Sequence, residues 1–408
     1  MRGLPCAGRP KVGRGLARRA LAAFFAAAAL ASSAAAHAQA LQPAGGFTPL
    51  WDKPVPAISA LAISPQGAYV ALLTQQGKLC LWDGDSARPV WTRQGVTARD
   101  IAVSDSLGYI LTYNRLDRLD TVARLYRAAL SGPAASAPAA PPAGPVKVIA
   151  FAERLPGAVW SSAVSLDGSH AALGLGDRQV ALLSLDARPK LSLYALDGIG
   201  NDVEFSPDNQ YLAVGLWNQS GVETLDMNGR IRWSRLLANT WRYDVRIWPN
   251  SRRILAIATR NHKQSDPVLS QLDDQGNVRW TYRLGPQAYD PLIGLGTASS
   301  PCYISYTQLV QRGRALAPER SLMALSPVGD VLWDKGGVFF SPKLVCSAPD
   351  GGVIAYDGAG TLYKLDPVGH IVARDRLSGA LVYWAVSHSH RRLIIYTSDG
   401  QLSMLKIG

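Results

Sequence analysis

Four carboxylates recur at one place in the pattern of this chain. Asp100, Asp202, Asp244 and Asp290 each stand four residues before the anchor position of a short repeated segment. Oxygen ligands gathered from successive repeats would suit a hard cation such as Ca²⁺. An aspartate beside a strand more often accepts backbone N–H groups of the adjoining loop. That is the role read for these four, so no metal and no cofactor are assigned. A second set is aromatic and basic. Trp160, Trp241, Tyr243, Tyr289, Tyr383 and Trp384 lie near the starts of the same segments, and Arg260 and Lys263 lie in a connecting loop. Aromatic rings with a cationic rim have the composition of surfaces that hold other proteins. These eight residues are the expected partner-binding face.

Catalytic signatures are missing. The chain contains no Cys-x-x-Cys-His, no Gly-x-Ser-x-Gly and no His-Glu-x-x-His, so haem attachment, a nucleophile elbow and a zinc-protease helix are not expected. His388-Ser-His390 puts two imidazoles close together but offers no third ligand.

The segments that carry these residues repeat. An apolar strand followed by a small or polar turn occurs eight times, as SALAISPQG at 59–67, NDVEFSPDN at 201–209 or YWAVSHSHR at 383–391. The anchors Ser64, Ser104, Ser165, Ser206, Trp248, Ser347 and Ser387 are mostly 40–42 residues apart, and the 99 residues from Trp248 to Ser347 hold two units. Each turn is followed by further short runs of Val, Ile, Leu and Tyr, broken by Gly, Asp, Asn and Pro. No stretch after the N-terminal segment sustains a helical period. Four short strands in about 40 residues predict a β-propeller blade. The count is eight blades, or seven if the weak sixth unit is irregular. The last unit, 380–407, supplies only three strands, and FTPLWDK at 47–53 matches the fourth-strand pattern of VLWDK at 331–335. The N-terminal strand is therefore expected to complete the last blade. The regular Trp51, Trp91, Trp233, Trp280 and Trp333 read as inter-blade packing, because a cofactor would need one special ring.

The fourth-strand signature resembles the PQQ-like repeat. It stands as Asp226-Met-Asn-Gly229 leading to Trp233, as Asp274-Gln-Gly276 leading to Trp280, and as Ser326-Pro-Val-Gly329 leading to Trp333. The SPDNQYLAVG segment at 206–215 is equally similar to WD40 and YVTN-type repeats. The resemblance covers residues 47–408 and implies fold, not activity. Quinoprotein dehydrogenases share this repeat, but their adjacent cysteine pair has no counterpart among Cys80, Cys302 and Cys346.

Compartment comes from the N-terminus. A basic stretch ending in Arg18-Arg19 runs into LAAFFAAAALASSAAA, followed by Ala-x-Ala sites. That order predicts a signal peptide over residues 1–38, cut after Ala38 or Ala40 by the Sec or the twin-arginine route. The apolar run is too short to span a membrane. Of the formal charge of +12, six units lie in the first 38 residues, leaving +6 for the other 370. Such a mild, scattered excess gives no case for nucleic acid. Export would leave three thiols in an oxidising compartment, where Cys302 and Cys346 could pair; spacing leaves that open. The Pro/Ala-rich run at 131–145 cannot build a core and reads as a flexible insertion in blade two.

Together these features predict an exported, monomeric, all-β protein. Its expected work is to hold another envelope or secreted protein, without chemistry. The alternative is a periplasmic quinoprotein-like oxidoreductase, or a lyase, with its site at the channel mouth.

Overall fold

A computed structural model describes residues 46–105, 109–115, 122–127, 151–185, 189–217, 221–237, 242–250, 252–259, 266–295, 299–313, 315–336 and 344–408. The expected signal segment and the insertion at 131–145 lie outside them. Residues from Pro43 onward form one compact unit.

The described residues contain 32 strands and no helix. They form eight four-stranded antiparallel blades, which span 58–93, 100–154, 159–195, 199–235, 242–283, 288–336, 345–376 and 381–407. Blades four and five touch in the hydrogen-bonding direction through one extra pair, Trp217 with Arg242. The eighth blade is completed by Phe47–Pro54, which pairs antiparallel with Gln401–Ile407 from Phe47↔Ile407 to Pro54↔Gln401. Eight blades and the closing strand are thus as the repeats predict.

Each blade has strands a to d, from the axis outward. Strand b is covered on both faces by neighbouring blades. Tyr69–Thr74, His170–Leu175 and Tyr211–Trp217 are accordingly almost continuous apolar runs and almost wholly buried. Strand d faces solvent. Ile231–Arg235 and Val331–Gly336 are short, charged and mostly exposed, which blunts an edge that could pair with other chains. Eight separate apolar cores lie between consecutive blades, including one between blades eight and one that contains Trp51, Val70, Ile394 and Met404. Eight interfaces for eight blades make a closed ring.

Two devices repeat around the ring, one within each blade and one between blades. The anchor serine closes the a–b turn: its Oγ accepts the N–H five residues on, from Tyr69 to Ser64 at 2.9 Å, from His170 to Ser165 at 2.9 Å and from Tyr211 to Ser206 at 3.0 Å. Trp248 takes this place in blade five and fills the next core instead. The strand-d tryptophan does the outer work. Its indole N–H donates to a backbone carbonyl in the c–d turn of the following blade. The pairs are Trp233 to Asp274 at 2.9 Å, Trp280 to Pro327 at 3.1 Å, Trp333 to Pro367 at 2.9 Å, and Trp51 to Gly84 at 2.9 Å. The turn can receive the ring because it holds a glycine. A Cβ on Gly276 or Gly329 would lie 2.8 Å from Trp233 or Trp280, and both glycines have positive φ.

The thiols do not pair. Cys302 is packed between blades five and six and Cys346 between blades seven and eight, each as a buried free cysteine. Burial pushes both thiols up to about 12, so they behave as small apolar groups.

Candidate functional site

Strand a lines the axis, and its alternation decides what the channel meets. In blade five the strand Arg242–Ile247 pairs regularly with its neighbour, so Arg242, Asp244 and Arg246 face one way and buried Tyr243, Val245 and Ile247 the other. In blades one, three, four, six and eight a bulge interrupts strand a near its start, between Ile58 and Ala60, for example, or Leu381 and Tyr383. An extra residue there shifts every later side chain to the opposite face.

Asp202 and Asp244 belong to one charged wall on blades four and five. Asp202 accepts the Val245 N–H at 3.0 Å and an Arg246 Nη1–H at 2.7 Å. Asp244 accepts from Arg242 Nε at 3.0 Å, from Arg242 Nη2 at 2.9 Å and from Asn201 Nδ2 at 2.9 Å. Glu204 accepts the Ile247 N–H at 3.1 Å. Asp202 and Glu204 thus tie strand a of blade four to strand a of blade five, and Asp244 takes side-chain donors only; the bonds run to a neighbouring strand and not to the adjoining loop, where the expected capping role would put them. Burial raises Asp244 above the ordinary carboxylate range, with the nearby Asp202 charge adding to it. Asp100 sits in blade two, bonded to its neighbour's Ile101 N–H at 2.9 Å, and is raised by burial. Asp290 is exposed, in a left-handed conformation at a bulge. Among the described residues no three His, Cys, Asp or Glu side chains gather as a metal site.

The expected partner face is only partly assembled. Trp241, Arg260 and Lys263 lie outside the described residues. Tyr243 is fully buried in the core between blades four and five, so it is removed from that face. Trp384 lines an axial cavity, and Tyr383 packs against the core between blades eight and one. Tyr289 is half-buried. Trp160 stays on the face where the d–a and b–c loops gather. It meets Trp217 edge to face at 4.5 Å, and its carbonyl accepts Arg115 Nε–H at 2.8 Å. Arg115, Trp160 and Trp217 thus form a half-buried aromatic and cationic spot across blades two to four.

Sequence reasoning missed two features. One is a ribbon on the same face. Cys302–Arg312 and Ala315–Leu325, strands b and c of blade six, pair from Cys302↔Leu325 out to Arg312↔Ala315. Strand a follows them only to Gln308, and strand d begins at Ser321. The Leu309 N–H still donates to the Gln287 carbonyl at 3.1 Å; beyond it, no described residue of strands a and d pairs with the tip from Val310 to Ala317. The unusual length of the polar run TQLVQRGRALAPER was the available signal.

The other is a cavity of about 430 Å³ at the opposite end of the channel, among the a–b turns of blades three to eight. Glu204 and Arg246 line one side, and Ser347, Trp384, His388 and His390 another. Burial pushes Glu204 up to about 7 and His390 down to about 4. Three charges at alternate positions of an otherwise apolar strand, in RYDVRI, could have pointed to it.

No family model matches this chain, and no curated protein does. Solved structures do. Sqt1 of Chaetomium thermophilum, bound to the N-terminus of ribosomal protein L10, is 15% identical, with TM-score 0.63 over 86% of this chain and 97% of that one. The Dos1 propeller is 13% identical, with TM-score 0.59 over 88% and 95%. Hydrazine synthase of Kuenenia stuttgartiensis is 11% identical, with TM-score 0.53 over 87% and 96%. At such identities the likeness is one of fold: these neighbours are β-propellers.

Proposed function

We propose that this chain is an exported propeller of PQQ-like type that holds another envelope or secreted protein without chemistry. The observation that carries the reading is the ribbon of blade six, raised on the same face as the Trp160–Trp217 pair. A free two-stranded tip offers unpaired backbone and side chains on both sides. Pro318, which has no N–H to offer, protects one edge from indiscriminate pairing. Sqt1 supports the class of function, because it is a propeller that holds a segment of another protein. The tip and its base carry Arg312 and Arg320 against Glu319. That excess favours an acidic partner.

The test is to replace residues 309–318 with Asn-Gly, which closes a two-residue hairpin on the existing Gln308↔Glu319 rung. The shortened protein should melt like the parent and lose capture of its partner from a periplasmic extract. Equal capture by both proteins would refute the role of the ribbon.

A further inference from the structure

The axial cavity is independent of the ribbon and of the partner face, since it lies at the other end of the channel. Its volume of about 430 Å³ falls in the lower range of small-molecule sites. Six consecutive blades contribute to its wall, so it is a built pocket and not a surface dent.

Its polar groups are unevenly spent. Arg246 uses Nη1 on Asp202 at 2.7 Å and on its own neighbour's Val245 carbonyl at 2.6 Å. Its Nε and Nη2 make no hydrogen bond to the described residues, and 41% of the side-chain surface is open to the lumen. The remaining Nε–Nη2 edge is the fork that takes a carboxylate through two parallel bonds. Glu204 uses one oxygen on Ile247 N–H; the other is 3.6 Å from Arg246, too long for a hydrogen bond. The wall as a whole holds Asp202, Glu204 and Asp244 against Arg242 and Arg246. Arg242 is taken by Asp244, and Arg246 by Asp202 with Glu204 as its second, longer partner at 3.6 Å, so the wall sets three carboxylates against two guanidinium groups. Burial raises the Glu204 pKa, and the Arg246 charge works against that rise. Across the cavity, burial keeps His388 and His390 neutral at physiological pH, so no competing cation faces it there. Ile293, Val345, Val386 and Trp384 supply an apolar surface beside these groups.

We propose that this cavity binds a free α-amino acid with an apolar or aromatic side chain, its carboxylate on the open edge of Arg246, its ammonium on Glu204, and its side chain against Trp384 and Val386. A simple anion would satisfy Arg246 but face the Glu204 charge. A simple amine would satisfy Glu204 but face Arg246. A zwitterion answers both.

The experiment is isothermal titration of the purified full chain with L-phenylalanine and L-leucine at about pH 8, where Glu204 is ionised. Controls are 3-phenylpropionate, phenethylamine and glycine, which lack the ammonium, the carboxylate and the side chain respectively. An amino acid should bind about tenfold or more tighter than each control, the worth of one charged hydrogen bond. Glu204→Gln, checked for an unchanged fold by its melting curve, should lose that advantage over 3-phenylpropionate. Trp384→Phe should remove any quenching of Trp fluorescence by ligand. Should 3-phenylpropionate bind as tightly as phenylalanine, or Glu204→Gln bind phenylalanine like the parent, the assignment fails. It fails equally if neither amino acid saturates the protein up to on the order of 10 mM.

Discussion

At the scale of single residues, the cavity holds two groups whose titrations oppose each other. Glu204 keeps its proton to about 7 in the folded chain, against 4.5 ordinarily. Between those values the unfolded chain has released a proton that the folded one retains, so stability falls as pH rises. Glu223, also pushed up to about 7 by burial and the adjacent Asp197, acts in the same direction. His390 works the other way. The unfolded imidazole is protonated below 6.5 while the folded one stays neutral down to about 4, so stability rises with pH across that window. His388, lowered by burial, adds to it. Melting temperature followed from pH 4 to 8 should show the cancellation lifted by mutation. Glu204→Gln should steepen the rise between pH 4.5 and 6.5. His390→Asn should flatten or reverse it, and asparagine tolerates the left-handed φ of 54° at that position. The tryptophan hooks give a second prediction. Gly329→Ala sets a Cβ against the Trp280 ring at a φ of +95° and should cost about 1–3 kcal/mol in denaturant unfolding. Trp280→Phe keeps a ring but strips the Pro327 carbonyl of its donor, a loss of roughly 1–3 kcal/mol. The hook was half legible in advance. Regular recurrence of Trp marks inter-blade packing, but the carbonyl it binds belongs to a turn some 40 residues further on.

At the scale of strands, the blades were legible and the directions of their side chains were not. Apolar runs of four to seven residues between Gly, Asp and Pro turns identify strands b and c directly, because those strands keep a simple alternation or are buried on both faces, and the recurring Trp marks strand d in spite of the bulge in its pairing with strand c. Strand a breaks this rule. Its bulges in five blades move Tyr383 and Trp384 off the face that a period of two assigns to them. A bulge depends on how the chain meets its neighbour, and no residue type announces it. Blade five lacks the bulge, and there the alternating charges of Arg242, Asp244 and Arg246 could have been read from the sequence alone. The ribbon of blade six separates element from scaffold experimentally. Because strands a and d do not pair with its tip, amide hydrogen exchange from Val310 to Ala317 should be far faster than at Tyr303–Tyr306, which are buried at the base of the ribbon. Equal protection along the whole strand would mean that the tip is covered.

At the scale of the whole molecule, closure depends on one strand and a few cross-ties. Phe47–Pro54 makes seven pairs with Gln401–Ile407 and sends Phe47 and Trp51 into two different inter-blade cores. Arg392 donates to the Gly67 carbonyl at 2.9 Å and pairs with Asp85 at 2.8 Å, tying blade eight to blade one. Buried Lys364 reaches the Gly408 carbonyl and Asp350. Removing residues 46–54 should expose the edge of blade eight and empty part of two cores. The expected result is a large drop in melting temperature with aggregation on size exclusion. A monomeric, equally stable product would refute the closure. This level was the most legible, since a three-strand last unit and an unclaimed FTPLWDK have one simple resolution in a ring.

The same closure bears on how the molecule is made. Phe47 leaves the ribosome early, yet its partner Ile407 is 360 residues behind it. At ordinary rates of synthesis that gap is roughly 20–70 s. During all of it, the first strand has no native neighbour in the hydrogen-bonding direction. A chain that stops short anywhere before residue 401 keeps two open sheet edges and an unfilled slot at each end, the features by which chaperones and proteases recognise unfinished protein. The joint between first and last blade therefore works as a completeness check. Only a chain that carries both Phe47–Pro54 and Gln401–Ile407 can close the ring.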